Sequence, residues 1–101
     1  MQFGTVFEVY KVKRKNMKAY KVKFVDGTEY SVRFHKTGGV TIIDENGEHE
    51  IGMWKRPDDE ECWMYRCFIF DKNYTEKDWG QRGLAERLAC YWKRLKRNGN
   101  R

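Results

Sequence analysis

"TVFEVYKVKRKNMKAYKVKFVDGTEYSVRF", residues 5–34, decides the fold. β-Branched and aromatic residues recur at every second position through it, with breaks at residues 15–17 and at "DGT", residues 26–28. Period-two patterning interrupted by turn residues reads as strands joined by hairpins. Taking both connections as three-residue loops sets Tyr10 opposite Val22 and Val12 opposite Tyr20, then Phe24 opposite Tyr30 and Val22 opposite Val32. Residues facing one another across an antiparallel pair share a face. One face is then largely apolar, with Glu8 an exception, while the other collects Lys11, Lys13, Lys21, Lys23 and Arg33. A one-residue slip would scatter both faces.

Outward from this stretch comes "VTIIDENGEHEIGMW", residues 40–54, in which Asn46 and Gly47 suit the two positive-φ positions of a type I′ hairpin turn. Pairing away from that turn matches Ile42 with Ile51 and Val40 with Met53. Gly38 and Gly39 ahead of it mark a turn, not a phosphate-cradling loop. After the charged loop "KRPDDEE", the run "CWMYRCFIF", residues 62–70, is apolar on both faces apart from Arg66. That pattern predicts a mid-sheet strand covered on both sides.

Thr75 suits a helix N-cap, with Glu76 and Asp78 placing negative charge in the first turn. Leu84, Leu88, Tyr91 and Leu95 then fall on one stripe, with Trp92 at its margin. Gly80 and Gly83 weaken the early turns by about 1 kcal/mol each relative to Ala, and Gly99 ends the run. The expected architecture is α+β: an antiparallel β-meander of five or six strands over residues 3–70, packed against one C-terminal α-helix over residues 76–97, in a single domain, 1–101. A small, partly closed barrel with an appended helix is the alternative.

At 101 residues, 40% hydrophobic and 16% aromatic, the chain can bury a core of its own. Lys and Arg number 21 against 15 Asp and Glu, a net charge of +6 that favours polyanionic partners. No apolar run reaches the roughly 18 residues needed to cross a bilayer, and the first residues mix charge with hydrophobe, so no membrane partner and a cytoplasmic location are expected. An odd cysteine count, Cys62, Cys67 and Cys90, points to reduced thiols.

Catalytic and metal chemistry find little support. Cys62 and Cys67 are separated by an odd offset along a strand, which sends them to opposite faces and argues against a shared ion. His35 and His49 lack a neighbouring ligand motif. The acidic run Asp58, Asp59, Glu60 and Glu61 has the oxygen donors a divalent cation takes, but consecutive carboxylates in a loop rarely converge. Ser31 and His35 can share a strand face, yet nothing else selects a nucleophile and base. No enzyme, cofactor or metal is expected.

What remains is charge interleaved with aromatics. The helix adds Arg82, Arg87, Lys93, Arg94, Lys96 and Arg97 to the lysines of the sheet, and an exposed Trp or Tyr can stack on unpaired bases. Trp79 would point away from the apolar stripe of a continuous helix. The leading expectation is a non-enzymatic basic module that engages nucleic acid or a nucleoprotein complex. In size, charge and lack of catalytic motifs the chain resembles small phage accessory proteins, anti-CRISPR inhibitors among them. That resemblance implies the alternative, inhibition or regulation of a protein target whose acidic surface meets the basic one.

Overall fold

The computed structural model describes residues 5–14, 17–56, 63–68, 73–75 and 80–97. These form the strands β1 (Val6–Arg14), β2 (Met17–Phe24), β3 (Glu29–His35), β4 (Gly39–Asp44), β5 (Gly47–Lys55), β6 (Met64–Cys67) and β7 (Asn73–Thr75), followed by the helix α1 (Gln81–Arg97). The strands pair antiparallel in chain order and curl into a half-barrel. The class is α+β as expected, but the described residues contain seven strands instead of five or six.

The extra strand falls where a helix cap was expected. Thr75 ends β7, and Tyr74 pairs with Tyr65 of β6. The helix begins at Gln81 instead of residue 76. The Gly80 carbonyl accepts the Leu84 N–H at 2.8 Å, the first helical bond, so Gly80 occupies the cap position, where glycine is tolerated. Glu76, Asp78, Trp79 and Gly99 lie outside the described residues.

The first hairpin corrects the register. Val9 pairs with Val22, Lys11 with Tyr20 and Arg14 with Met17, which leaves only positions 15 and 16 between the strands. The loop is one residue shorter than expected, so β1 turns over. Val9 enters the core, and Tyr10 and Val12 take the other face beside Lys21 and Ala19. The second hairpin slips by two, with Tyr20 opposite Val32 and Val22 opposite Tyr30. A slip of two preserves the faces, so Tyr20, Val22, Phe24, Tyr30, Val32 and Phe34 are all buried on one side as the pattern required.

The β4–β5 turn is centred one residue earlier than expected, with Asp44 paired to Gly47, and Gly47 holds a φ of 121° at the start of β5. A register shift between Val40 and Thr41 leaves Ile51 as the extra residue between Glu50 and Gly52, so Ile42 pairs with His49 and Met53 with Gly39. Ile42 and Ile51 are nevertheless both fully buried. Gly52 is dictated by close approach: a Cβ there would lie 2.4 Å from the Arg66 carbonyl oxygen and 2.5 Å from the Tyr65 ring. The Tyr65 hydroxyl in turn donates to the Ile51 carbonyl at 2.8 Å.

β6 does lie between two other strands, yet it is not covered on both faces. Tyr65 is fully buried, Met64 and Cys67 are half-buried, and Arg66 is exposed, as are the flanking Trp63 and Phe68. The helix closes the concave face with Leu84, Ala85, Leu88, Ala89 and Trp92. Burying each leucine contributes about 1.5–3 kcal/mol. Trp92 therefore belongs to the buried stripe, while Tyr91 and Leu95 are half-buried at its side. The two alanines shift the stripe from the leucine and tyrosine spacing expected, and let α1 approach the sheet.

Candidate functional site

The single lysine face expected on the sheet does not form, because β1 is turned over. Lys21, Lys23 and Arg33 share the convex face, while Lys11 stands on the concave side opposite Tyr20 and the register sets Lys13 opposite Lys18. The convex face is also not uniformly basic. Along its rows Lys23 lies between Glu8 and Glu29, Arg33 pairs with Thr41 and Thr41 with Glu50, and Ser31 leads through Ile43 to Glu48. Arg33 bonds Glu48 at 3.2 Å, and Lys23 lies 3.9 Å from Glu29. This is a surface of alternating sign.

Several helix bases are committed to the fold. Lys93 donates to Asp26 Oδ2 at 2.5 Å and to Thr28 Oγ1 at 3.1 Å, tying α1 to the β2–β3 turn. Its hydrogen bond, with that from the Thr28 amide, draws the Asp26 carboxyl down to about 2. Lys96 donates to Asp44 Oδ2 at 3.1 Å and to Glu45, tying α1 to the β4–β5 turn. Arg82 donates to the Val9 carbonyl on the edge strand β1.

Asp44 is the hub of the second of these ties. Its side chain is 1% exposed and accepts hydrogen bonds from Trp92 Nε1 at 2.9 Å, the Asn46 amide at 2.8 Å and Lys96, while His49 Nε2 lies 3.0 Å from it. Burial alone would raise its pKa, but the bonds from Trp92, Asn46, His49 and Lys96 outweigh burial and hold the carboxyl far below its usual range. Burial likewise opposes the charge on Lys96, and the bonds to Glu45 and Asp44 reverse that and raise its pKa. The His49 ring lies against Trp92 with centroids 4.8 Å apart. No local motif singles out Asp44, because its helix partners stand 48 and 52 positions away. An open cleft of about 490 Å³ between the two turns and the helix end is lined by Asp26, Tyr30, Glu45, Lys93, Lys96 and Arg97, and so mixes both signs of charge.

The outward arc of α1 is different. At 3.6 residues per turn, Arg87, Cys90, Arg94 and Arg97 fall within roughly a quarter turn, opposite the buried stripe. Arg87 and Arg94 place their guanidinium groups 5.6 and 5.7 Å from the Tyr91 ring centroid. The Tyr74 hydroxyl donates to the Tyr91 hydroxyl at 3.1 Å. Burial, helped by that bond, pushes Tyr74 up to about 12. Glu86 is the sole acid of the helix.

The other candidates do not assemble. His35 Nε2 lies 3.1 Å from Thr41 Oγ1, whereas Ser31 pairs with Lys21 and Ile43. Cys67 and Cys90 are half-buried thiols, and burial raises the Cys90 pKa. Among the described residues no three His, Cys, Asp or Glu side chains converge on a metal position. Cys62 and the run from Asp58 to Glu61 lie outside the described residues. Among those described, no helix is long and apolar enough to cross a membrane. Comparison of the chain with protein-family models, with curated proteins and with solved structures finds no match.

Proposed function

We propose that the protein is a non-enzymatic binding module that engages nucleic acid, alone or within a nucleoprotein, through the outward arc of α1. The observation that carries this reading is the segregation of the helix charges. Lys93, Lys96 and Arg82 are turned to the sheet and its turns, whereas Arg87 and Arg94 flank Tyr91 on the arc away from it. Guanidinium groups stacked on an aromatic ring are pre-organised, and their planar fork matches phosphate oxygens. The convex sheet face, with carboxylates between its bases, makes a weaker contribution. The test is binding of labelled DNA and RNA across salt concentrations. The double substitution Arg87→Glu, Arg94→Glu is expected to weaken binding and to flatten the dependence of log affinity on log salt by roughly 1.5–2, as for two lost phosphate contacts. Absence of binding to either nucleic acid at low salt overturns the reading.

A second reading, regulation of a protein target with an acidic surface, rests on the exposed side chains of Phe7, Val25 and Phe68, at 71%, 48% and 53%. Exposed large apolar groups beside charge suit a protein interface. One stable protein partner retained after nuclease treatment, together with no binding of free nucleic acid, would select it.

A further inference from the structure

Among the described residues, α1 covers the concave face from Gln81 onward. α1 starts at Gln81, where Tyr20 Oη donates to Gln81 Oε1 at 3.5 Å, and runs toward the two turns held by Lys93 and Lys96. Beyond the first residue of the helix, a line of aromatic rings crosses the same face. Tyr20 meets Phe34 edge-on at 5.8 Å, Phe34 meets Trp54 edge-on at 5.9 Å, and Trp54 stacks on Trp63 with centroids 6.0 Å apart and planes only 9° from parallel. The line begins buried and ends in the open: Phe34 is 4% exposed, Trp54 7% and Trp63 40%. Lys18 pairs directly with Phe34 and Lys11 with Tyr20, so both share this face, and both are exposed.

An indole backed by a second, buried indole is held in orientation without losing its own stacking capacity. Lysines that share a sheet face with the rings behind it supply the charge for a phosphate chain passing alongside. Their cross-strand partners, Tyr20 and Phe34, bring no carboxylate to this face, in contrast to the convex side. Single-strand binding surfaces combine these two elements, because any unpaired base offers a π-face whereas a paired base inside a duplex has both faces covered by its neighbours. We propose that this end of the concave face is a stacking site for an unpaired base, with Trp63 as the platform and Lys18 and Lys11, several strands away across the same face, contacting phosphates further along the nucleic-acid strand. The inference rests on the nucleic-acid reading above and narrows its substrate to a single strand, without sequence preference.

The test compares a labelled thymidine oligonucleotide of roughly a dozen nucleotides with a duplex of equal length. Binding is measured by anisotropy for the intact chain and for Trp63→Ala and Trp63→Phe, each checked for folding by thermal melting. Trp63→Ala is expected to weaken single-strand binding about fivefold or more while leaving duplex binding unchanged, and Trp63→Phe to retain most of the affinity. Oligonucleotide binding should also quench tryptophan emission in the intact chain and quench it less in Trp63→Phe. Should the alanine variant fail to fold, that difference in quenching decides. Salt-dependent binding that ignores both substitutions, or that favours the duplex, overturns the stacking site and leaves the arginine arc standing. An intact chain that binds neither oligonucleotide removes the broader reading as well, and a protein partner seated on Trp63 would replace it.

Discussion

Asp26 and Asp44 occupy comparable places, each in or beside a hairpin turn and each holding a lysine of α1, yet they differ in surroundings. The Asp26 side chain is 20% exposed and is bonded by Lys93 and Thr28. The Asp44 side chain is 1% exposed and gathers an indole, a backbone amide, a histidine and an ammonium group. A charge taken out of water is stable only when its partners replace the lost hydration, so removing it strands those partners. A charge still touching water leaves its partner a substitute. Similar sequence signals, an acid in a turn and a lysine in a helix, thus give one contact on which the helix depends and another that only trims its position.

The sharpest way to break this contrast is Asp44→Ala, which leaves the buried Trp92 N–H without its acceptor and Lys96 with Glu45 alone. We expect a loss of about 2–4 kcal/mol in urea unfolding, and a cost near zero would mean the cluster is hydrated in solution. Trp92→Phe keeps an aromatic ring on the buried stripe but removes some packing volume and one donor to the carboxylate, with an expected cost of about 1.5–3 kcal/mol by the same measurement. Acid probes both aspartates together. Each is depressed when folded, so the unfolded chain binds more protons and stability must fall as pH falls. The Asp26 contribution is lost between about pH 4, its unfolded value, and about 2, its folded value. The Asp44 contribution persists to stronger acid, and Asp44→Asn should flatten the acid limb of melting temperature against pH. The smallest effect is expected for Asp26→Asn, a reduction in melting temperature below that of either Asp44 change and further reduced by added salt.

The sequence carried the sheet where errors of counting are harmless. Misjudging the β2–β3 register by two positions left Tyr20, Val22, Tyr30 and Val32 on the correct side, because the side-chain period is two. Misjudging the β1–β2 loop by one position inverted β1 and dispersed the lysine cluster, since Val12 and Lys11 exchanged sides. Nothing in the alternation of "TVFEVYKVKR" selects between these registers, because both of its faces carry apolar and charged residues. The strand Asn73–Thr75 is too short for a period to register, and the polar threonine at its end imitates a helix cap. On the helix, Leu84 and Leu88 were legible, but Ala85 and Ala89 were not, because small residues become buried through what packs on them and not through their own hydrophobicity. Of the site, the arginines of α1 could be located from helical spacing. The inward commitment of Lys93 and Lys96 and the stacking of Trp63 on Trp54 depend on contacts made only after the sheet curls.

The guanidinium of Arg82 on the Val9 carbonyl bears on how copies of this protein coexist. β1 is an outermost strand of nine residues, and such a strand offers its backbone as a template on which another chain can polymerise. With one of its carbonyls occupied by an arginine from the helix, the template is interrupted near its middle. A side chain that adds to the overall positive charge thereby also occupies a backbone acceptor that an incoming strand would need at this edge.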